Sequence, residues 1–262
     1  MAKRLLQAIS FVLITGFVGA FVPLERKSAS LAPTSTSFAS TMISEQLNTE
    51  ILKSDLFNLI RSCDRGFKAT PKAREAILSI IDQMERLNTE SDAARGMNDV
   101  STMSPMEGTW RLIFTTSPDQ LFMNGNRFAP IQVDEIYQVI DPPFITNIID
   151  FSPSFQGLLQ PLLNVPTSFR TRIGTKAESD ETHPNRISLL FEVAQFLPQN
   201  VLGQKVSVYP PLQVEVPQSN QQATGNGSFD VSFLDDNLLI IRHNKPWKGS
   251  VMVLEKAETL AP

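Results

Sequence analysis

Cysteine and histidine are nearly absent from this chain of 262 residues, which contains one Cys and two His. A single cysteine, Cys63, excludes an internal disulfide and any metal site built from several cysteines. The two histidines, His183 and His243, lie far apart in the sequence, and each is close to turn-forming residues. A histidine-based zinc site is therefore not expected, and we predict neither a metal nor a cofactor.

Strong charge of either sign is also missing. There are 23 Lys and Arg against 27 Asp and Glu, so the net charge is -4, and no basic block stands out. Because nucleic-acid binding depends on clustered Lys and Arg, we expect no nucleic-acid partner. The length allows no more than one or two domains.

Tyrosine and tryptophan are scarce, with two of each against 17 Phe. A chain that favours Phe fills apolar volume rather than presenting hydroxyl groups to a polar ligand. The Gly-x-Ser-x-Gly motif of hydrolases is absent, and the available Ser, Cys and His residues suggest no catalytic triad. Asp141 and Asp150 bracket an apolar strand and are interpreted as solvated strand ends, so no enzyme is predicted.

The N-terminus has the pattern of a targeting sequence. A basic pair, Lys3 and Arg4, precedes the mostly apolar run 5–18, and small residues follow at a predicted cleavage point. This order is typical of a secretory signal peptide. The next stretch, 26–43, contains no acidic residue and is rich in Ser and Thr, which is typical of a plastid transit peptide.

A signal peptide followed by a transit-like segment, with Phe21 at the junction, resembles the bipartite presequence of algae with complex plastids of secondary endosymbiotic origin, diatoms among them. Plain secretion with a disordered linker is the alternative. The predicted division is therefore a signal peptide (1–20), a transit-peptide-like segment (21–42) and a single domain (43–258).

Two helices are predicted before the strands begin. Ser44 is a candidate cap for the first helix, and Gly66 follows its end. Thr70 and Pro71 have the order of a cap and a first helical residue, so they predict the start of the second. The segment 88–106 is polar and has no period, and it is predicted to be a loop.

Short apolar runs separated by turn signals predict a series of strands after residue 106. The predicted strands are 107–116, 131–140, 144–152, 167–176, 186–196, 205–216, 228–234, 237–242 and 250–256. Strands in series, with helices confined to the start, predict an α+β fold in which a helical hairpin packs on an antiparallel β-barrel.

The first strand is the most informative. Its alternation predicts that Trp110, Leu112 and Phe114 share the inner face. Gly108, two residues before Trp110, resembles the Gly-x-Trp of lipocalin-like barrels, where a basic residue from the last strand lies across the tryptophan ring, and the candidate here is Arg242 in the penultimate apolar run. That resemblance implies a lipocalin-like barrel with Arg242 over Trp110. An ordinary core tryptophan is the alternative.

Four motifs taken together are similar to those of the plastid lipid-associated proteins, also called fibrillins or plastoglobulins. They are Arg-Gly-Phe-Lys-Ala-Thr-Pro at 65–71, the helix ending 80–88, the strand 108–117, and the pair 233–242 and 251–256. The chain departs from the family pattern at Leu239 and His243, where Arg and Gly are usual. It departs again at Phe114 and Phe233, where Tyr is common.

The resemblance implies a non-enzymatic protein that binds or coats a hydrophobic lipid at a plastoglobule or thylakoid surface. The implied ligands are quinone, carotenoid, tocopherol or fatty acid. The candidate ligand-binding residues are inward-facing aromatic and apolar side chains together with one arginine: Trp110, Leu112, Phe114, Tyr137, Phe151, Phe169, Phe191, Phe229, Phe233 and Arg242.

Several alternatives stay open. The aromatic residues can pack against one another and leave no cavity. The protein can be an interaction module that docks on a thylakoid complex or, with less support, an enzyme acting on lipid. The apolar segment 155–165 is a candidate lid, and the polar segment 217–227 is assigned no function.

Overall fold

The computed structural model describes residues 35–99, 101–117, 131–153, 167–206, 210–215, 227–245 and 247–260. These ranges contain the helices α1 (Ser35–Ile60) and α2 (Pro71–Arg86). They also contain the strands β1 (Gly108–Thr115), β2 (Ile131–Asp141), β3 (Phe144–Pro153), β4 (Ser168–Asp180), β5 (His183–Val201), β6 (Gln204–Lys205), β7 (Leu212–Glu215), β8 (Gly227–Leu234), β9 (Leu238–Lys245) and β10 (Val251–Ala257).

The start of α2 confirms one helix prediction and the start of α1 corrects the other. The Thr70 side chain accepts a hydrogen bond from the backbone N–H of Ala73, and Pro71 follows as the first helical residue. In contrast, α1 begins at Ser35, so Ser44 lies inside the helix and does not cap it. The stretch 35–43 contains neither Pro nor Gly, so no helix-breaking residue lies between the start of α1 and Ser44. No helix in the described ranges is long and apolar enough to cross a bilayer.

The turn between the helices fastens them to the sheet. Asp64, Arg65 and Gly66 all have positive φ angles. A Cβ atom on Gly66 would collide with the carbonyl oxygen of Thr115, so the close approach of the turn to β1 requires glycine. The backbone N–H of Thr115 donates to the carbonyl of Arg65 at 3.0 Å, and the Arg65 guanidinium reaches the Val133 carbonyl at 3.0 Å.

All pairings between these strands are antiparallel, and they form a ring. The order is β4-β3-β2-β1-β10-β9-β8-β5, and β5 also pairs with β4. The ring closes unevenly, because β5 pairs with β4 along most of its length but with β8 only over 186–189. Further along β5, at 193–196, the pairing partner is β7 instead of β8. Within the described part of the predicted strand 205–216, the structure has the short strands β6 and β7.

Two apolar cores lie on opposite sides of this sheet. The inner core lies inside the ring and includes Trp110, Leu112, Ile149, Phe229 and Leu254. The outer core lies between the helices and the outside of β1, β8, β9 and β10. It includes Leu56, Ile77, Ile81, Phe114, Phe233 and Ile240. These positions confirm the α+β fold with a helical pair packed on an antiparallel sheet, while the likeness to lipocalins stays a prediction.

The segment before β1 closes one end of the ring. Four of its residues, Ala93, Ala94, Met97 and Met106, are fully buried in the inner core. The backbone N–H of Ala94 donates to the carbonyl of Pro184, near the start of β5, at 3.0 Å. We call this end the floor, and the opposite end, where β1, β3 and β5 finish, the upper rim.

Candidate functional site

Most of the predicted lining residues face the inside of the ring. Trp110, Leu112, Phe151 and Phe229 belong to the inner core, and Phe169 packs against it. Phe191 joins them because it lies two residues after Leu189, which also packs against the inner core.

Phe114 and Phe233 do not face the interior, and this corrects the prediction from alternation. The register shifts in β1 between Leu112 and Phe114, and in β8 between Val231 and Phe233. Each bulge adds one residue and turns the rest of the strand over. Both phenylalanines therefore pack beneath the helices in the outer core.

Tyr137 also lies on the outside. It pairs with Arg111, whereas its neighbour Gln138 pairs with Trp110 and shares the inner face. Tyr137 lines a surface pocket of about 270 Å³ together with Arg111, Glu255 and Lys256. Its predicted inward orientation is wrong because the inward positions of this part of β2 are the even-numbered ones.

Arg242 does not lie over the tryptophan. It donates to Glu85 at 2.6 and 2.9 Å and to Asp82 at 2.6 Å, both on α2. Burial alone would lower the pKa of Arg242, but the two carboxylates outweigh it and raise the pKa. Arg242 therefore fastens α2 to the outside of β9.

The basic group over the Trp110 ring is Lys256, whose Nζ lies 4.4 Å from the ring centre. Lys256 pairs directly with Trp110 across β10 and β1, and it donates to the carbonyl of Glu107. Burial lowers the pKa of Lys256. The indole N–H donates to the Met106 carbonyl at 2.7 Å. The sequence offered a signal for Lys256, since it is the basic residue of the last strand, which pairs with the first.

Three phenylalanines form a cluster at the upper rim. The rings of Phe151, Phe169 and Phe196 have centroids 5.4 to 5.9 Å apart. Sequence reasoning missed Phe196, because simple alternation places it on the face opposite Phe191. A register shift opposite Gly174 and Thr175 brings both rings to the inside.

The interior is filled on one side and accessible on the other. Inward residues of β1, β9 and β10, such as Trp110, Leu239 and Leu254, are fully buried. Phe169 on β4 and Leu189, Phe191 and Phe196 on β5 also face inward but are only partly buried. The accessible side adjoins the place where β8 stops pairing with β5, above residue 189. We call this side the β4–β5 wall.

Polar groups also face the interior. Gln138 and Thr171 are 4% and 3% exposed. The Gln138 amide donates to Asn147 Oδ1 at 3.1 Å, but Gln138 Oε1 has no hydrogen-bond partner. Thr171 Oγ1 also has none. Buried polar atoms without partners are uncommon, and each calls for an explanation such as strain, a bound group or a water molecule.

The carboxylates considered for catalysis do not come together. Asp150 accepts two hydrogen bonds from Arg170, at 2.6 and 2.7 Å, and this pairing is the main reason that the pKa of Arg170 is raised. Asp141 lies at the other end of the same hairpin, opposite Phe144. In the described ranges, no three His, Cys, Asp or Glu residues are grouped as metal ligands.

One serine does approach a histidine. Ser117 Oγ lies 3.4 Å from His243 Nδ1 and 3.3 Å from Ser250 Oγ. Ser117 is fully buried, so a substrate has no path to its hydroxyl. The candidate lid, 155–165, lies outside the described residues, as does the segment 217–227 except for Gly227, which begins β8.

A family model described as PAP_fibrillin matches residues 50–255. The chain belongs to the PAP_fibrillin family. The match begins within α1 and ends within β10, so it spans both helices and the ring. The predicted family is thereby confirmed. The fibrillin motif at 65–71 forms the turn that fastens the helices to β1, and the motif at 108–117 begins with β1.

Similar proteins come from plant plastids. The chain is 26% identical to the light-induced protein, chloroplastic, of Solanum demissum, over 81% of this chain and 69% of the relative. It is 24% identical to the chromoplast-specific carotenoid-associated protein C1 of an Oncidium hybrid cultivar, over 87% and 74%. It is 27% identical to the plastid-lipid-associated protein of Citrus unshiu, over 79% and 69%. None of these three names denotes an enzyme.

Proposed function

We propose that this protein is a non-enzymatic plastid protein that holds an isoprenoid-type or acyl lipid inside a lipocalin-like ring, against the β4–β5 wall. The observation that carries the proposal is the partial exposure of inward-facing Phe169, Phe191 and Phe196 in an otherwise filled interior. Large apolar side chains that face inward and stay accessible are what an apolar ligand site needs. The lipid- and carotenoid-associated names of two relatives support the same reading.

Burial of apolar surface is the mechanism. Each ligand methylene that leaves water for the phenylalanine cluster contributes about 0.8 kcal/mol. The floor keeps the far end of the site dry, because Met97, Met106 and Trp110 fill it completely. Trp110 and Lys256 then belong to the floor of the ring and have a structural role. The contacts to the lipid come from β4 and β5.

The plastid is the proposed location, with a plastoglobule or thylakoid surface as the place where lipid is exchanged. The plastid names of the relatives support this location. The order of the N-terminal segments further supports import into a complex plastid.

Lipid binding is tested by titrating a polyprenyl quinone against protein carrying Trp247→Phe, which leaves Trp110 as the reporting tryptophan. We expect saturable quenching of Trp110 at micromolar quinone. Phe196→Ala, on the β4–β5 wall, weakens binding several-fold because ring contacts to the ligand are lost.

The matched control is Phe57→Ala. Phe57 is also a partly buried phenylalanine, but it packs on the outer core beneath the helices. We expect this variant to bind quinone with unchanged affinity. Absence of quenching in the parent protein, or equal losses in the two variants, contradicts a lipid site on this wall.

A second candidate function, docking on a membrane-bound partner, is favoured by α1. Leu47 and Ile51, one turn apart on this helix, are 62% and 51% exposed. If docking is the function, Leu47→Glu with Ile51→Glu releases the protein from isolated thylakoids while quinone binding is unchanged. Retention of the double variant on the membrane argues against it.

A further inference from the structure

The hairpin between β5 and β6 ends in an apolar tip at the upper rim. Val201 pairs with Gln204, so the turn between them consists of Leu202 and Gly203. Both turn residues have positive φ angles, 49° and 80°. A two-residue hairpin turn of this kind normally carries Asn followed by Gly, and leucine is unfavourable at its first position. Leu202 is 66% exposed, so packing within the chain offsets little of that cost.

Hydrogen bonds anchor the tip to the start of β4. The backbone N–H of Leu202 donates to Thr167 Oγ1 at 3.2 Å, and the side-chain amide of Asn200 donates to Ser168 Oγ at 3.1 Å. Ser168 also pairs with Asn200 in the register of β4 and β5. The β4–β5 wall therefore ends at this tip, which holds an exposed leucine at a defined place beside the accessible side of the ring.

The segment that forms the tip carries positive and no negative charge. The stretch 196–206 contains one Lys, Lys205, and no Asp or Glu. Lys205 is exposed and follows Gln204 in β6. Because a membrane with anionic headgroups attracts Lys and Arg at its surface, the charge of this segment is complementary to such a membrane.

The size of the tip favours a lipid surface over a protein partner. A specific protein interface buries roughly 800 Å² on each partner. The tip exposes two neighbouring apolar side chains, Val201 and Leu202, which together cover only a small part of such an area. A lipid surface needs no complementary shape, so a protruding leucine can enter it and be removed from water.

We propose that the tip is the part of the chain that contacts a membrane with anionic lipids, with Leu202 inserted between the lipids and Lys205 at the headgroups. The contact brings the upper end of the β4–β5 wall, and Phe196 on it, to the membrane surface. This inference rests on the proposed function and adds the surface of the chain through which lipid is exchanged.

The first test is flotation of the full chain with vesicles of phosphatidylcholine and phosphatidylglycerol in equal amounts. Leu202→Asn removes the apolar side chain and supplies the residue that the turn prefers. We expect its affinity for vesicles to fall about tenfold, as for the loss of one leucine from an apolar environment. The urea midpoint of the same variant should rise, a combination that a purely structural role would not give.

The matched control is Met103→Asn. Met103 is 84% exposed, but it belongs to the segment before β1 that closes the floor, at the opposite end of the ring. We expect this variant to bind the vesicles like the parent protein. Lys205→Gln should weaken binding to these vesicles by about fivefold and leave binding to pure phosphatidylcholine unchanged.

A dye that reports its surroundings locates the contact directly. Nitrobenzoxadiazole attached to the Leu202→Cys variant should shift its emission to the blue when vesicles are added, whereas the same dye on Met103→Cys should not. The native Cys63 is buried and is not labelled in the folded protein. Equal responses at the two positions, or no response at 202, overturn the inference.

The outcomes separate the two proposals. Unchanged vesicle affinity in Leu202→Asn together with no dye response at 202 overturns membrane contact at the tip, while quenching of Trp110 by quinone still measures lipid binding. Absence of that quenching in the parent protein overturns the proposed function, and with it the role of the tip in lipid exchange.

Discussion

At the scale of single residues, the polar groups of this protein divide into those that hold the fold together and those that the fold leaves unsatisfied. Arg242 and Arg65 belong to the first group, since each joins a helix or the helical turn to a strand. Thr171 belongs to the second, because its hydroxyl is buried without a partner. Groups of the second kind reduce stability in the absence of a ligand.

We therefore expect Thr171→Val to raise the free energy of unfolding of the lipid-free protein by about 1 kcal/mol, because it removes an unpaired buried hydroxyl. Urea denaturation measures the change. Thr171→Ser is the control, since it keeps the hydroxyl, loses a methyl group and should destabilise the protein. A less stable valine variant would show that the hydroxyl has a partner.

Asp134 allows a pH prediction. Burial, with help from the nearby Asp150 carboxylate, raises the pKa of Asp134, although a hydrogen bond from Ser152 opposes the shift. A carboxyl whose pKa is raised on folding favours the folded state below its ordinary pKa of 3.8, and this contribution is lost as the pH rises through the folded pKa.

Asp134→Asn should therefore be more stable than the parent protein at pH 7, and the difference should shrink as the pH falls through the raised pKa of folded Asp134 and be smallest below 3.8. Thermal melts of both proteins across this range measure it. A difference that stays constant with pH would show that the carboxyl charge is not responsible.

At the scale of elements, periodicity predicted where strands and helices lie, but it did not predict which way every side chain points. The strand 108–115 was predicted closely from its alternation. A bulge then placed Phe114 outside the ring, and a bulge is an insertion that apolar spacing does not reveal. The segment 88–106 was interpreted as a loop because its buried residues, such as Met97 and Met106, have no period.

The helical turn yields a prediction at this scale. Gly66→Ala should destabilise the protein by more than about 2 kcal/mol, because a positive φ and a collision with the Thr115 carbonyl act together. Gly249→Ala is the matched control, since Gly249 also has a positive φ but has nothing within 4 Å. Its expected cost is about 1 kcal/mol. Equal losses in a denaturation experiment would show that contact with β1 contributes nothing.

At the scale of the whole molecule, the uneven closure of the ring is the main structural feature. The sequence predicted an α+β fold with an antiparallel sheet, because strand runs and turn signals are local. It did not predict that β5 exchanges β8 for β7 halfway along, since pairing partners depend on distant segments. The unpaired oxygens of Gln138 and Thr171 were missed for the same reason.

The junction between β5 and β8 should be the least stable part of the ring. It has four register pairs, at 186–189, whereas the neighbouring β4–β5 pairing runs almost the whole strand. In hydrogen exchange, the amides of 227–230 should therefore exchange faster than those of β10, although both segments pair on two sides, because β10 pairs along most of its length with both β1 and β9. Slower exchange at 227–230 than in β10 would contradict this.

If the ring holds a lipid as proposed, the floor residues Ala93, Ala94, Met97 and Met106 leave the lipid no exit at that end, because they are buried in the inner core. A bound lipid would then leave by the same side through which it entered, so uptake and release would use the same opening. To carry a lipid between two membranes, such a protein would have to separate from the donor membrane before its accessible side could face the acceptor membrane.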